Sequence, residues 1–130
     1  MKKLLMILTL AGMLSLNAAA AGAQPDTAPK SVIHVVTVKW KDGSTPEQIQ
    51  AALTGAQALP AQFKGITRVW TRSIKVQNPE GATLKKTHAI VMEFANEAAL
   101  AEYANSTAQK EWYKVYLPIR ETSTTFDITN

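Results

Sequence analysis

Apolar residues recur along this chain at two spacings, and each change of spacing marks a new element. From Val32 to Lys41 (VIHVVTVKWK) they alternate, so Val32, His34, Val36, Val38 and Trp40 fall on one face of a predicted strand and Ile33, Val35, Thr37, Lys39 and Lys41 on the other. The first row is apolar apart from one histidine. The second is apolar at its start and charged at its end, so both faces are expected to be at least partly covered. Asp42 and Gly43 form a turn. Thr45, Pro46 and Gln48 then carry the marks of a helix start: a side-chain cap, a proline at the first helical position and the second half of a capping box. Ile49, Ala52, Leu53, Ala56, Leu59 and Phe63 follow at three- and four-residue steps, which predicts an amphipathic helix over 46–62. Gly55 weakens that helix, and Pro60 is placed to kink it or end it early.

Strand spacing returns from Ile66 to Lys75 (ITRVWTRSIK), where Ile66, Arg68, Trp70, Arg72 and Ile74 are expected to share one partly buried face. Val76 to Lys86 contains Asn78-Pro79 and Glu80-Gly81 and reads as a long connection at the edge of the molecule. Thr87 to Phe94 (THAIVMEF) is a third strand, with His88, Ile90, Met92 and Phe94 on one side and Ala89 and Val91 on the other. Asn96 caps a short helix over 97–104 with Ala99, Leu100, Tyr103 and Ala104 as its buried stripe. Ser106 and Gln109 repeat the capping-box pattern and open a helix over 108–117, closed by Pro118, with Trp112, Val115 and Tyr116 on its inner face. Thr122 to Thr129 is the fourth strand and the most polar.

This βαββαβ order predicts an α+β, ferredoxin-like plait: a four-stranded antiparallel sheet with its helices on one face. The opposite face carries Ile33, Val35, Ala89 and Val91. At roughly 25 cal/mol per Å² of apolar surface, leaving that face in water forfeits several kcal/mol, so two copies are expected to pack sheet to sheet as a homodimer.

The N-terminus changes the picture of where the domain resides. Lys2 and Lys3 precede an apolar run from Leu4 through Leu16 and a small-residue tract from Ala18 to Ala23, the order of a secretory signal peptide. The apolar core of about 13 residues is shorter than the ~20 that a spanning helix needs. Ala21, Gly22 and Ala23 fit a cleavage site before Gln24. Residues 1–23 are therefore read as a signal peptide, 24–31 as a flexible lead and 32–130 as the domain, with a secreted or periplasmic destination and no membrane attachment after cleavage. The chain has no cysteine, which excludes disulfides, thiol catalysis and cysteine-held metals. Removing Lys2 and Lys3 takes the basic residues from 14 to 12 against 10 acidic ones, a charge of about +2. The remaining cations are scattered, so a nucleic-acid partner is not expected.

Candidate chemistry is sparse. His34 and His88 each sit in an apolar strand row, where an imidazole is most often a hydrogen-bonded core residue. Should both face the helices together with Tyr103, they would line a pocket in which an imidazole serves as general base and a tyrosine hydroxyl steadies a developing enolate. Trp40, Trp70, Trp112 and Tyr116 are the candidate walls of a site for a small hydrophobic or aromatic ligand, although for Trp112 and Tyr116, on one helical face, plain core is the commoner role. The two histidines lie more than 50 residues apart with no acidic pattern beside them, so no metal is expected. No phosphate-cradling loop, G-x-S-x-G elbow or H-E-x-x-H pair occurs, and no cofactor is expected. Asn105, Ser106 and Thr107 satisfy a glycosylation pattern at a helix junction, where capping is the simpler role.

The segments IHVVTVKWKDG, LPAQFKGI, THAIVMEF and ALAEYANSTAQKEW stand in the order and spacing of the stress-responsive dimeric alpha-beta barrel (Dabb) domain, which the chain from Val32 to Thr129 resembles. The resemblance implies an obligate homodimer whose two sheets form one shared barrel. It also implies roles, since the family includes plant stress proteins without an assigned reaction and a cofactor-free polyketide cyclase. His34 and His88 match that cyclase's strand histidines and Tyr103 its catalytic tyrosine. The family's His-Pro-x-His segment is replaced by Ser106, Thr107, Ala108 and Gln109, which puts an amide that does not exchange protons near neutral pH at the position of the catalytic histidine. The expectation is thus an exported homodimeric small-molecule-binding module of unassigned activity, with a cofactor-independent cyclase or isomerase using His34, His88 and Tyr103 as the runner-up. An open cavity joining those three residues favours the enzyme; a sealed interior favours the binding module. Intact mass of the exported protein is expected to correspond to a chain starting at Gln24, and a mass that retains residues 1–23 would remove the export reading.

Overall fold

The computed structural model describes residues 30–77 and 85–129; the expected signal peptide, most of the expected lead over 24–31 and the turn formers within 78–84 lie outside the described residues. The elements run β1 (Val32–Trp40), α1 (Pro46–Gln57), α2 (Leu59–Gln62), β2 (Ile66–Ser73), β3 (His88–Phe94), α3 (Glu97–Tyr103), α4 (Thr107–Tyr116) and β4 (Arg120–Ile128). Every strand pairing is antiparallel, in the spatial order β2-β3-β1-β4. This is the expected ferredoxin-like plait, with the helices on one face.

The helix starts form as their caps dictate. Thr45 Oγ1 accepts from the Gln48 N–H at 3.2 Å while Gln48 Oε1 accepts from the Thr45 N–H at 2.9 Å. Asn96 and Ser106 cap α3 and α4 through the Ala99 and Gln109 N–H groups. The single helix expected over 46–62 is two, α1 and α2, broken at Ala58. Pro60 is the cause: it has no N–H for the Ala56 carbonyl, and its ring would collide with that carbonyl in a continuous helix.

The core lies between the helices and the inward rows of β1 and β3, where Val38, Ile90, Met92 and Phe94 are fully buried beside Leu59 of α2. α1 meets α4 at Gly55, where a Cβ would stand 3.1 Å from the Trp112 ring. The missing side chain lets the indole in, and its Nε1–H donates to the Ala52 carbonyl at 2.9 Å.

Two irregularities of register correct the simple alternation. Between Ile66 and Arg68 the pairing with β3 slips, so Ile66 turns inward opposite Phe94 while Arg68, Trp70 and Arg72 oppose Glu93, Val91 and Ala89 on the outer face. Ile66 therefore does not share a face with Arg68, Trp70 and Arg72 as alternation predicted. A second slip, between Lys39 and Trp40, lets β4 begin at Arg120, two residues before the expected start.

On the outer face, Trp70, Val91, Val35 and Phe126 stand opposite one another and make a single apolar row across all four strands, with Ile33 and Ile128 beside it. Phe126 is 55% exposed and Ile128 59%.

Gly65 ties the start of β2 to α3, because a Cβ there would stand 2.5 Å from the Phe63 ring and 2.8 Å from Ala99 Cβ. Phe63 is packed against Tyr103 and the core, and Ala99 Cβ is fixed on the α3 backbone, so a methyl group there forces one of them to shift. Gly65→Ala is expected to lower stability by about 1–3 kcal/mol in urea unfolding, and the substitution Lys64→Ala at the exposed neighbouring position to leave it nearly unchanged.

Candidate functional site

β4 gives the sheet a polar inner edge. Its register sets Ser123, Thr125 and Asp127 opposite Val38, Val36 and His34, on the same inward side as the apolar row of β1. Above this edge α3 and α4 present Tyr103, Trp112, Tyr113 and Tyr116, and a cavity of about 160 Å³ remains between the aromatic wall and the polar strand.

His34 closes one side of the cavity. Its Nδ1 lies 2.5 Å from Asp127 Oδ1, and its ring meets Phe94 edge-on at 5.9 Å. A carboxylate that holds the Nδ1 proton fixes the tautomer and leaves the basic lone pair on Nε2. Asp127 is 44% exposed and the His34 side chain 17%, so the pair sits at the cavity's margin.

Tyr103 stands between Phe63 and Phe94 on the helix side, at 5.6 and 5.3 Å. It is 2% exposed. Burial, reinforced by nearby Tyr113, pushes its pKa far above the ordinary tyrosine range, so its hydroxyl is a proton-bearing donor at any physiological pH. Tyr116 stacks on Trp112 at 4.5 Å, and its pKa is also raised by burial, partly offset by Ser123 and Arg120 beside it. The Arg120 guanidinium lies 5.6 Å over the Tyr116 ring, with Nη1 3.4 Å from Ser123 Oγ.

The hydroxyls of Tyr103 and Tyr116 and the Nε of Arg120 are buried without a hydrogen-bond partner in the protein; among the described residues only the Ser31 hydroxyl shares that condition. All three residues line the one cavity. A buried donor left unpaired costs about 1–3 kcal/mol, so this convergence marks the cavity as a place suited to a polar group, from a ligand or from water.

The other expected site residues divide. Trp112 and Tyr116 wall the cavity, whereas Trp40 packs edge-on behind Tyr116 at 6.0 Å and Trp70 lies on the outer face of the sheet. His88 does not reach the cavity. It pairs with Val38, four positions from the His34–Met92 pair, roughly 13 Å along the strand. Its Nδ1 accepts the Trp40 indole N–H at 2.9 Å, and burial lowers its pKa, both of which favour the neutral ring. His34 and His88 thus face the helices from different ends of the sheet and do not form a pair. Gln109 does line the cavity, but its Oε1 accepts from the Asn105 N–H at 2.8 Å, closing a turn in which Asn105 has φ of 70°.

Asp127, Arg120, Ser123 and Thr125 were not singled out from the sequence. The alternation in TSTTFDIT places Ser123, Thr125 and Asp127 on one face of a strand, which is the signal available. Their nearness to His34 depends on register. Among the described residues no group of three or more His, Asp, Glu or Cys side chains converges to hold a metal ion.

Residues 32–130 match the stress responsive A/B barrel domain family (Dabb). Similar solved structures include a protein of Arabidopsis thaliana, with 23% identity and a TM-score of 0.67 over 76% of this chain and 94% of that one. A dimeric ferredoxin-like protein of unknown function from Thermobifida fusca shows 16% identity and a TM-score of 0.62, over 79% of this chain and 93% of its own. The hydroxynitrile lyase of Passiflora edulis shows 19% and 0.65, over 77% and 93%. Comparison with curated proteins finds no match. At these identities the structural likeness establishes the fold.

His88 is expected to titrate below the ordinary value of about 6.5 in a two-dimensional NMR titration. As pH falls, the unfolded chain takes up this proton before the folded one does. The contribution of His88 to stability is therefore complete above about 6.5 and is lost as pH drops toward the lower native value. His88→Gln is expected to flatten the fall in urea midpoint over that window, and an unchanged slope would show that the imidazole is not held neutral by its surroundings.

Proposed function

Given that this chain belongs to the stress responsive A/B barrel domain family, we propose that it is an exported homodimer whose protomers each bind one small, largely apolar molecule beneath α3 and α4 and move a proton on it without a cofactor. The reading is carried by one observation: a carboxylate-oriented histidine and an unpartnered buried tyrosine hydroxyl line the same aromatic-walled cavity. An imidazole whose Nδ1 is held by Asp127 takes a proton at Nε2, and Tyr103 donates a hydrogen bond to the oxygen on which negative charge develops. Returned from His34 to a different carbon the proton completes an isomerisation and to the same carbon an exchange; where the enolate carbon adds to a carbonyl of the same molecule, breaking its C=O π bond, the proton goes to the alkoxide formed and the reaction is a cyclisation. A cavity of about 160 Å³ suits a single ring, since an engineered apolar cavity of about 150 Å³ holds benzene. A hydroxynitrile lyase and a cofactor-independent oxygenase among the similarly folded proteins support a catalyst on this scaffold.

The homodimer is supported by the unbroken outer row from Trp70 to Phe126 and by the dimeric state of the Thermobifida fusca neighbour. Export is supported by the charge and hydropathy pattern of residues 1–23. A second reading, ligand binding without chemistry, is favoured by Gln109, whose amide is committed to a cap where the family's cyclase has a catalytic histidine.

Deuterium exchange of phenylacetone α-protons in D2O separates these readings. The protein is expected to accelerate exchange, with His34→Gln slowing it by about 100-fold or more while phenylacetone still binds. A rate at buffer background, or one undiminished in His34→Gln, returns the function to binding alone. Sedimentation at micromolar concentration is expected to give a dimer, with Phe126→Asp giving a folded monomer; a monomeric parent protein would remove the sheet-to-sheet assembly.

A further inference from the structure

We infer that Arg120 makes this cavity selective for a small apolar molecule that carries a carboxylate; the inference rests on the cavity being a ligand site, as proposed above. Strict alternation back from the inward Ser123 would turn Glu121 into the cavity and Arg120 out of it. The register slip prevents this: Lys39 pairs with Thr122 and Trp40 with Arg120, so Glu121 is the extra residue of a bulge. Its carboxylate is taken by Lys39 at 2.9 Å. Arg120 instead joins the inward side, opposite buried Trp40. One inserted residue thus exchanges a negative side chain for a positive one at the cavity wall.

The guanidinium placed there lies over the Tyr116 ring but meets no carboxylate of the described residues. Nε is buried without a partner, Nη1 has a single long contact to Ser123, and no ion pair among the described residues involves Arg120. The one carboxylate on the inward face of β4, Asp127, is engaged by His34. On the outer side of the sheet, Lys39 and Lys86 occupy Glu121 and Thr122, so the Glu121 carboxylate is held away from the cavity and from Arg120. A planar cation beside an aromatic wall, with one hydroxyl at its edge, has the donor arrangement that a carboxylate accepts in forked geometry. The carboxylate would sit between Arg120 and Ser123, and the apolar body of the ligand against Tyr116 and Trp112. Its far end would then point toward Tyr103 and His34.

The probes are benzoate and its neutral isostere benzamide, measured by calorimetry or NMR. Benzoate is expected to bind the full protein about 10- to 100-fold more tightly than benzamide. Arg120→Gln is expected to bring that ratio near one with benzamide affinity unchanged, and Ser123→Ala to reduce it, giving a second reading should Arg120→Gln fold poorly. Glu121→Gln, on the other side of the bulge, and His34→Gln are expected to keep the preference. Equal binding of the two probes, or a preference that survives both Arg120→Gln and Ser123→Ala, overturns the role of Arg120 and leaves the pocket standing. Failure of both probes to bind overturns the pocket itself, and the inference with it.

Discussion

The inner face of the sheet changes character at the boundary between β1 and β4, and the site follows from that boundary. Across β2, β3 and β1 the inward residues are apolar apart from Thr71, His88 and His34, from Ile66 through Ile90 and Met92 to Val36 and Val38, and the helices close over them. On β4 they become Ser123, Thr125 and Asp127. Apolar helix surface gains little by packing against hydroxyls and a carboxylate, which would lose water without recovering partners. α4 is anchored elsewhere, on α1, through the Trp112 indole and the gap at Gly55. The space left over the polar strand is the cavity.

Along the inner face, identical side chains are steered by different neighbours. His34 and His88 are both inward residues on adjacent strands, yet Asp127 offers one a negative acceptor and Trp40 offers the other a donor. The first arrangement fixes which ring nitrogen carries the proton; in the second, the indole donor and burial favour the neutral ring. Tyr103 and Tyr116 show the complementary effect. Both rings fulfil the packing role of core aromatics, but their hydroxyls are buried beside the cavity without protein partners, an arrangement that a purely structural core avoids.

The opposite face answers a different requirement. A sheet with helices on one side leaves a flat surface, and here that surface carries Trp70, Val91, Val35 and Phe126 in register across its whole width. Arg68, paired with Glu93 and lying 5.3 Å over Trp70, borders the row with charge. An apolar centre with a polar rim is the composition of an interface core. Fold and chemistry remain separate matters: similarly folded proteins at 16–23% identity share the plait, while what a member does depends on the few side chains its cavity collects.

Most of the architecture was legible in the linear pattern, because strand alternation, helix spacing and capping residues act over a few positions. Thr45 with Gln48, Asn96 and Ser106 mark helix starts that the structure reproduces, and the order of elements implies the plait. The inward rows of β1 and β3, with their histidines, and the inner position of Tyr103 follow from the same periodicities. What only the tertiary structure decided are relations between distant strands: the partnership of His34 with Asp127 across 93 positions, the inward turn of Ile66, and the exchange of Glu121 for Arg120 at the cavity wall. Side-chain direction in a sheet has a period of two, so a slip of one residue reverses every face beyond it. Such slips are set by how two strands settle against each other, and that information is held in neither strand alone.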